Sequence, residues 1–363
     1  MKKALIFIFL MMLLSSYSFA AGWGVGVRNI AMGGCGIATA NDITAAYFNP
    51  AGLMYGPENF EAQAYYGGTL QQINDLVSSI TDPDFLENSF DEDLDTTAMG
   101  DVGLGFSMRK VGLSLFASGT GILIHPAKSI NSGMVLGVAT IIAPITLGST
   151  FSTPGLPIAS LSLGVNLKPM QVMGGGVMVG PTAGTGEKIE INGSGFGFDM
   201  GAQAKITPLV SVGAVVRNLS ASLDMKTKVT PVTVAPDGKI DDSGDSVDEK
   251  SSYSPAPEVG VGLGITLPLT GTLIACDIEN YSYPDNSTRA ESYNDFHFGV
   301  EQGFFFNLVM LRLGYFNYGP AEDTFYTYGL GFNAGPVNLG FAAANSQKDF
   351  NNSIAMAQLG MAF

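Results

Sequence analysis

Residues 195–206 read GFGFDMGAQAKI, and apolar side chains occupy every second position of this stretch. The positions between them hold glycines together with Asp199, Gln203 and Lys205. Successive side chains of a β-strand point to opposite faces, so a period of two predicts a strand between an apolar and a polar environment. The same alternation recurs from Asp101 to the last residue, which is an aromatic.

Composition distinguishes between a soluble sandwich and a membrane barrel, which share this period. Hydrophobic residues make up 46% of the chain and charged residues 13%, whereas a soluble domain has about 25% charged residues. The longest apolar run, Val135–Gly148, is interrupted by Pro144 and is shorter than the roughly 20 residues of a spanning helix. A membrane barrel places its apolar residues in alternate positions. We therefore predict an all-β fold, a transmembrane antiparallel β-barrel of about fourteen strands.

The first twenty residues predict export. Lys2 and Lys3 precede a short apolar core at 4–14, and Ser18-Phe19-Ala20 has the small-residue pattern of a cleavage site. An uncleaved anchor is the disfavoured alternative, because the apolar core is too short to span a bilayer. An exported barrel is expected in the bacterial outer membrane, surrounded by its lipid. The expected divisions are a signal peptide at 1–20, an N-terminal hatch at 21–57 and a transmembrane β-barrel at 58–363.

Turn residues divide the barrel region into fourteen candidate strands. These lie near 59–66, 101–109, 111–118, 158–167, 169–179, 194–206, 209–219, 256–267, 270–280, 293–302, 306–316, 324–334, 336–344 and 352–363. The segment 119–157 fits this scheme poorly and is compatible with an extra strand pair, a helical insertion or a loop folded into the lumen. Short turns such as Gly335-Pro336 are expected on the periplasmic side.

The chain has a formal net charge of −15, and this negative charge is concentrated in two stretches. Residues 75–101 and 237–249 are acidic, lack alternation and read as long external loops. Solvated loop tips are the favoured interpretation, and weak Ca²⁺ or Mg²⁺ bridging to lipopolysaccharide is the alternative. Nucleic acid is disfavoured as a partner, because there is no basic patch to meet phosphates.

Alternation turns a group of polar residues towards the lumen. They are Asp199, Arg217, Asp277, Glu279, His297, Glu301 and Arg312. We expect these residues to pair and to hold the N-terminal segment, and the alternative is that they line a polar path for small solutes. If Asp277 faces inward, Cys276 faces outward, so Cys276 is not expected to form a disulfide with Cys35 on the inner side of the wall.

Residues for catalysis are scarce. The chain contains two His and two Cys, without a C-x-x-C or H-E-x-x-H motif, and no G-x-S-x-G elbow lies near either His. We predict that the protein is not an enzyme and that it holds no cofactor and no metal.

The segment 26–53, GVRNIAMGGCGIATANDITAAYFNPAGL, is rich in Gly and Ala and has no strand period. Small residues allow a backbone to pack closely in a confined space, so the segment reads as a compact plug ahead of the first strand. A periplasmic tail is the alternative.

The pattern A-M-G-G-x-G-x-A-x-A-x-D…N-P-A-G-L resembles the N-terminal hatch of outer-membrane long-chain fatty acid transporters and toluene channels, the FadL/TodX-like superfamily. Weaker blocks at 195–219 and 273–341 are more similar to its PorV-like and TraF-like branch. The resemblance implies a fourteen-stranded barrel with an N-terminal hatch. The residues that it implies are Gly33, Gly34, Asn49, Pro50 and Ala51 in the hatch, and Leu359, Met361 and Phe363 as a signal for the barrel assembly machinery.

Two functions follow from this resemblance. The first is the passage of hydrophobic molecules, such as long-chain fatty acids, with a fatty-acid-like ligand bound near the hatch. The second is a PorV-like barrel that binds a secretion partner and transports no solute. A general porin is disfavoured, because a plug would block its pore.

Overall fold

The computed structural model describes residues 25–69, 94–108, 110–125, 133–152, 159–179, 184–234, 240–282, 292–319, 322–348, 350 and 353–363. The predicted signal peptide lies outside this range. The helical elements are α1 (Val27–Ala31), α2 (Ala45–Phe48) and a 3₁₀ helix (Gly52–Tyr55). The strands are β1 (Phe60–Thr69), β2 (Leu94–Met108), β3 (Val111–His125), β4 (Gly133–Ile142), β5 (Ile145–Ser152), β6 (Ser160–Val179), β7 (Thr185–Thr207), β8 (Val210–Val234), β9 (Ile240–Asp242), β10 (Val247–Tyr253), β11 (Glu258–Thr266), β12 (Leu273–Ser282), β13 (Ser292–Phe304), β14 (Val309–Tyr318), β15 (Asp323–Ala334), β16 (Val337–Ser346) and β17 (Ile354–Ala362).

The strands form one closed antiparallel barrel. Most strands pair with their neighbours in sequence order, and β17 pairs with β1; the exceptions are β4 and β5, and β9, β10 and β11. Two hydrogen bonds complete the closing pair: Phe60 N–H donates to the Phe363 carbonyl over 3.0 Å, and Phe363 N–H donates to the Phe60 carbonyl over 2.9 Å. The predicted fold class is confirmed.

The described strands occupy fourteen positions around the barrel wall. β4 and β5 share one position, because both lie between β3 and β6. β9, β10 and β11 share another, because all three pair with the same side of β8. The expected number of about fourteen is therefore confirmed.

Two candidate strands were nevertheless assigned wrongly. Runs 158–167 and 169–179 are one continuous strand, β6, and the segment 119–157 supplies the missing position as β4 and β5. The reason is Pro169, which reads as a turn residue in the sequence. It lies opposite the interruption between β4 and β5, where Ala143 N–H donates to the Pro169 carbonyl over 3.0 Å. A proline is tolerated at such an irregularity, because no continuous ladder there requires its missing N–H.

One part of the wall is taller than the rest. β6, β7 and β8 have 20, 23 and 25 residues, whereas β12, β14 and β16 have 10 each. The stretch 237–249, predicted as a loop, contains β9 and the start of β10. In the other acidic stretch, the strand β2 begins at Leu94, and residues 75–93 lie outside the described residues.

The two faces of the wall differ in chemistry. Exterior positions carry exposed apolar side chains such as Phe196, Leu313 and Tyr328, whereas inner positions carry buried polar ones. This arrangement suits a wall with hydrocarbon outside. Among the described residues, no helix is long and apolar enough to cross a membrane.

Deletion of Phe363 is expected to reduce the amount of folded, heat-modifiable barrel in the membrane fraction. The deletion removes both hydrogen bonds between Phe60 and Phe363 and an exposed aromatic at the end of the last strand. Phe350→Ala, which truncates an exposed phenylalanine away from the closing pair, is the control and should assemble normally. Normal assembly of the deletion variant would contradict the importance of this closure.

Candidate functional site

The N-terminal segment, defined here as residues 25–56, lies against the inner face of the barrel. Its side chains are mostly buried. α1 has five residues and α2 has four, and helices this short are not stable on their own. The segment therefore depends on the wall for its conformation.

Wall glycines make room for this segment. A Cβ atom at Gly213 would collide with the Ile37 carbonyl, and one at Gly314 would collide with the backbone of Gly33. Further inner-face glycines in the same situation are Gly164, Gly201, Gly262 and Gly299. Sequence reasoning missed this role, although the signal was present as glycine in the inward phase of the strands.

Asn49 is a junction between the segment and the wall. Its Nδ2 donates to the Ile37 carbonyl over 2.8 Å and to the Ala202 carbonyl over 3.0 Å, and its Oδ1 accepts from Ala51 N–H over 3.1 Å. The Ala51 carbonyl accepts from Ser162 Oγ over 2.9 Å. Pro50 follows Asn49 and passes over inner-face glycines of β6 and β7.

Gly33 and Gly34 form a turn in left-handed backbone conformation, with φ of 66° and 82°. Glycine adopts these angles without steric cost. Gly33 N–H donates to Thr327 Oγ1 over 3.0 Å, and its carbonyl accepts from His297 Nδ1 over 2.7 Å. The turn is thus fixed by β13 and β15.

Asp277 holds the next turn of the segment. One carboxylate oxygen accepts from Gly36 N–H over 2.7 Å and from Ile37 N–H over 2.9 Å. Cys35 is buried beside this contact, and burial raises the pKa of its thiol, which stays protonated. Cys35 and Cys276 are both free cysteines, as expected.

Glu301 joins the segment to two strands through charge. It accepts from Arg28 Nε and Nη2, both over 2.9 Å, and from Arg312 Nε over 2.7 Å. Two parallel bonds from one guanidinium to one carboxylate are a strong form of ion pair. α1 is therefore fastened to the wall by its only charged side chain.

A second charge cluster involves Arg217. Its guanidinium lies 2.5 Å from Glu279 and 3.2 Å from Glu258, and it also donates to the Phe48 carbonyl over 3.4 Å. Glu258, the first residue of β11, was not among the predicted inward residues.

Asp199 has partners that sequence reasoning also missed. Its Oδ1 lies 2.6 Å from Lys168 Nζ, and its Oδ2 accepts from Asn166 Nδ2 over 3.0 Å. All seven polar residues predicted to face the lumen are buried. Leu359, Met361 and Phe363 are exposed.

A cavity of about 280 Å³ opens where the N-terminal segment joins β1. It is lined by residues that include Leu53, Met54, Pro57, Met108 and Lys110. In the described part of the chain, no group of three or more His, Cys, Asp or Glu side chains is arranged to hold a metal ion.

Comparisons with known proteins reveal similarity in structure only. No family model and no curated protein matches the sequence. The Pseudomonas putida toluene transporter TodX superposes with a TM-score of 0.61 at 13% identity, over 93% of this chain and 98% of the other. The Ralstonia pickettii toluene transporter TbuX superposes with a TM-score of 0.59 at 12% identity, over 93% of this chain and 97% of the other. A Pseudomonas aeruginosa FadL homologue superposes with a TM-score of 0.56 at 9% identity, over 93% of this chain and 98% of the other. The chain therefore has the fold of FadL-like transporters of hydrophobic compounds.

Replacement of Glu301 by Gln is expected to loosen the N-terminal segment. Two guanidinium groups in the wall interior would lose their carboxylate, which should lower the free energy of unfolding by about 3 kcal/mol. Urea titration in detergent micelles and trypsin cleavage after Arg28 measure the two effects. Glu190→Gln, which breaks half-exposed ion pairs with Lys188 and Lys228, is the control and should cost at most about 1 kcal/mol. Equal unfolding midpoints for the two variants would refute this role of Glu301.

Proposed function

We propose that the protein lies in the bacterial outer membrane and allows the passage of hydrophobic small molecules, with the N-terminal segment as its hatch. The observation that carries the proposal is the fastening of this segment across the inner wall by Asn49, Asp277 and Glu301. A segment held in this way blocks the free flow of water-soluble solutes, unlike the open lumen of a porin. The shared fold with toluene transporters supports the same reading.

The lumen charges favour uncharged molecules over fatty acid anions. Four cations inside the described barrel are already paired with carboxylates: Arg28 of the N-terminal segment and Lys168, Arg217 and Arg312 of the wall. Lys205 of β7 lies instead over the ring of Tyr55, with its Nζ 4.3 Å from the ring centroid. To pair with any of these four cations, a fatty acid carboxylate would have to displace an internal partner, and a broken buried pair is costly. A neutral hydrophobic molecule meets no such cost. The PorV-like alternative, in which a partner protein is bound and no solute passes, predicts no uptake of either class.

The interruption between β4 and β5 is the exit that we propose towards the membrane. At Ala143 and Pro144 the regular ladder stops, and single bonds to Pro169 and from Ser114 bridge it. Opening the wall here breaks fewer ladder hydrogen bonds than opening it along an uninterrupted pair of strands such as β6 and β7. A hydrophobic molecule could then leave sideways into hydrocarbon without crossing water.

Uptake by proteoliposomes that contain the purified protein tests the proposed function. Labelled toluene should enter faster than labelled oleate, and a hydrophilic disaccharide should not enter above the rate of empty liposomes. Entry of the disaccharide at the rate of toluene would identify a general pore. Absence of uptake for all three, with a protein that co-purifies in fixed ratio, would support the partner-binding alternative and overturn the proposal.

Asn49→Ala is expected to raise nonspecific permeability. The change leaves the carbonyls of Ile37 and Ala202 and the N–H of Ala51 without this partner, at about 1–3 kcal/mol for each buried group. Entry of a normally excluded dye into cells that produce the variant is the measurement. Asn192→Ala, on the exposed exterior of β7, is the matched control. A dye-tight Asn49→Ala barrel would argue against the hatch.

A further inference from the structure

Two turns at the short-turn end of the barrel, the end that carries the β7–β8 and β15–β16 turns, present large apolar side chains to the outside. Leu269 lies between β11 and β12 and is 98% exposed. Phe305, 76% exposed, and Phe306, fully exposed, lie between β13 and β14. Neither the site nor the proposed transport uses these residues.

The two turns form one surface. Gln302, near the end of β13, donates through Nε2 to the Thr270 carbonyl over 3.1 Å and accepts from Thr272 Oγ1. Its side chain therefore connects the β11–β12 turn to the β13–β14 hairpin. We define the turn patch as the exposed apolar residues of this unit: Leu267, Leu269, Phe304, Phe305, Phe306 and Leu308.

The backbone of the second turn is strained. Phe305, Phe306 and Asn307 have φ of 51°, 59° and 65°, a left-handed region that bulky residues rarely adopt. The wall holds this conformation, because Asn333 donates through Nδ2 to the Asn307 carbonyl over 3.0 Å and through N–H to the Leu308 carbonyl over 2.9 Å. Strain of this kind persists where the surrounding structure enforces it, often at functional positions. Here it holds two phenylalanines outside the protein.

The turn patch continues the apolar exterior of the wall. On the adjoining strands, Leu311 of β14 is exposed beside the patch, and Leu263 of β11 is exposed above Leu267. Residues 266–272 and 303–310 contain no charged side chain. The β2–β3 turn, seven of fourteen wall positions away and hence on the opposite side of the barrel, instead carries the exposed charge of Lys110.

We propose that the turn patch is a membrane anchor that inserts into the phospholipid headgroup and upper acyl region of the inner leaflet. Aromatic and aliphatic side chains are favoured at this boundary, and the patch is continuous with the face that we place in lipid. The inference rests on the membrane placement proposed above.

Tryptophan fluorescence in phospholipid vesicles tests the anchor. Trp23 is the only tryptophan, so Trp23→Phe gives a silent background. Phe306→Trp and Leu269→Trp are the probes, Lys110→Trp is the water-exposed control and Leu313→Trp, on the apolar exterior, is the lipid-exposed control. Each variant is first checked for heat-modifiable folding, and emission is quenched either by brominated phospholipid or by aqueous acrylamide.

We expect Phe306→Trp and Leu269→Trp to emit at shorter wavelength than Lys110→Trp, to be quenched by brominated phospholipid and to resist acrylamide. Emission and acrylamide quenching equal to those of Lys110→Trp would overturn the anchor and would leave the patch free for a periplasmic protein. If Leu313→Trp also behaves like Lys110→Trp, the membrane placement itself is wrong. The two failures are thereby distinguished.

Discussion

The polar side chains that reach from the inner wall to the backbone of the N-terminal segment are the interaction on which the structure depends. α1 and α2 are too short to satisfy their own N–H and C=O groups. Asp277 accepts from Gly36 and Ile37, and Asn166 donates to the Ala46 carbonyl over 2.7 Å. A buried backbone group without a partner costs about 1–3 kcal/mol, so the wall provides what a longer helix would provide for itself.

This dependence makes strand register decisive. A slip of one residue would turn Asp277 to the exterior and place Ile278 or Cys276 against the segment. It would also put side chains where Gly213 and Gly314 now leave room for the backbone. Closure of the ladder between β17 and β1 fixes the strand register all around the wall. The barrel and the N-terminal segment inside it are therefore stabilised together.

The sequence alone predicted which side chains face inward or outward better than it predicted which side chains contact each other. The period of two identified the fold and the inward residues, because it depends only on neighbouring positions. It could not pair Arg28 with Glu301, which lie 273 residues apart in the chain and meet only after closure. Lys168 was missed because it precedes Pro169, which reads as a turn until the interruption in the neighbouring strand is known. The inner-face glycines were visible but ambiguous, since glycine also marks turns.

The lengths of the tall strands were underestimated, because the apolar residues change from the outer face to the inner face along them. In the lower part of β7 the exterior is apolar, as at Phe196 and Met200, and Asp199 faces inward. Further up, Lys188 lies outside, and Ile191 is buried. The inward side chains of this upper part form an apolar cluster of Leu136, Val138, Val172, Ile189, Ile191, Leu223 and Met225.

The alternation therefore persists while the two faces exchange their chemistry, as expected where the exterior of a membrane barrel changes from hydrocarbon to water. The ten residues of β12, β14 and β16 match the roughly 9–11 residues of a membrane-spanning strand. β6, β7 and β8 continue beyond this height with a core of their own. Along these strands the apolar cluster lies above the polar attachments of the N-terminal segment, such as the contact of Asn49 with Ala202. This order of environments fits the hydrophobic class of molecule that we propose.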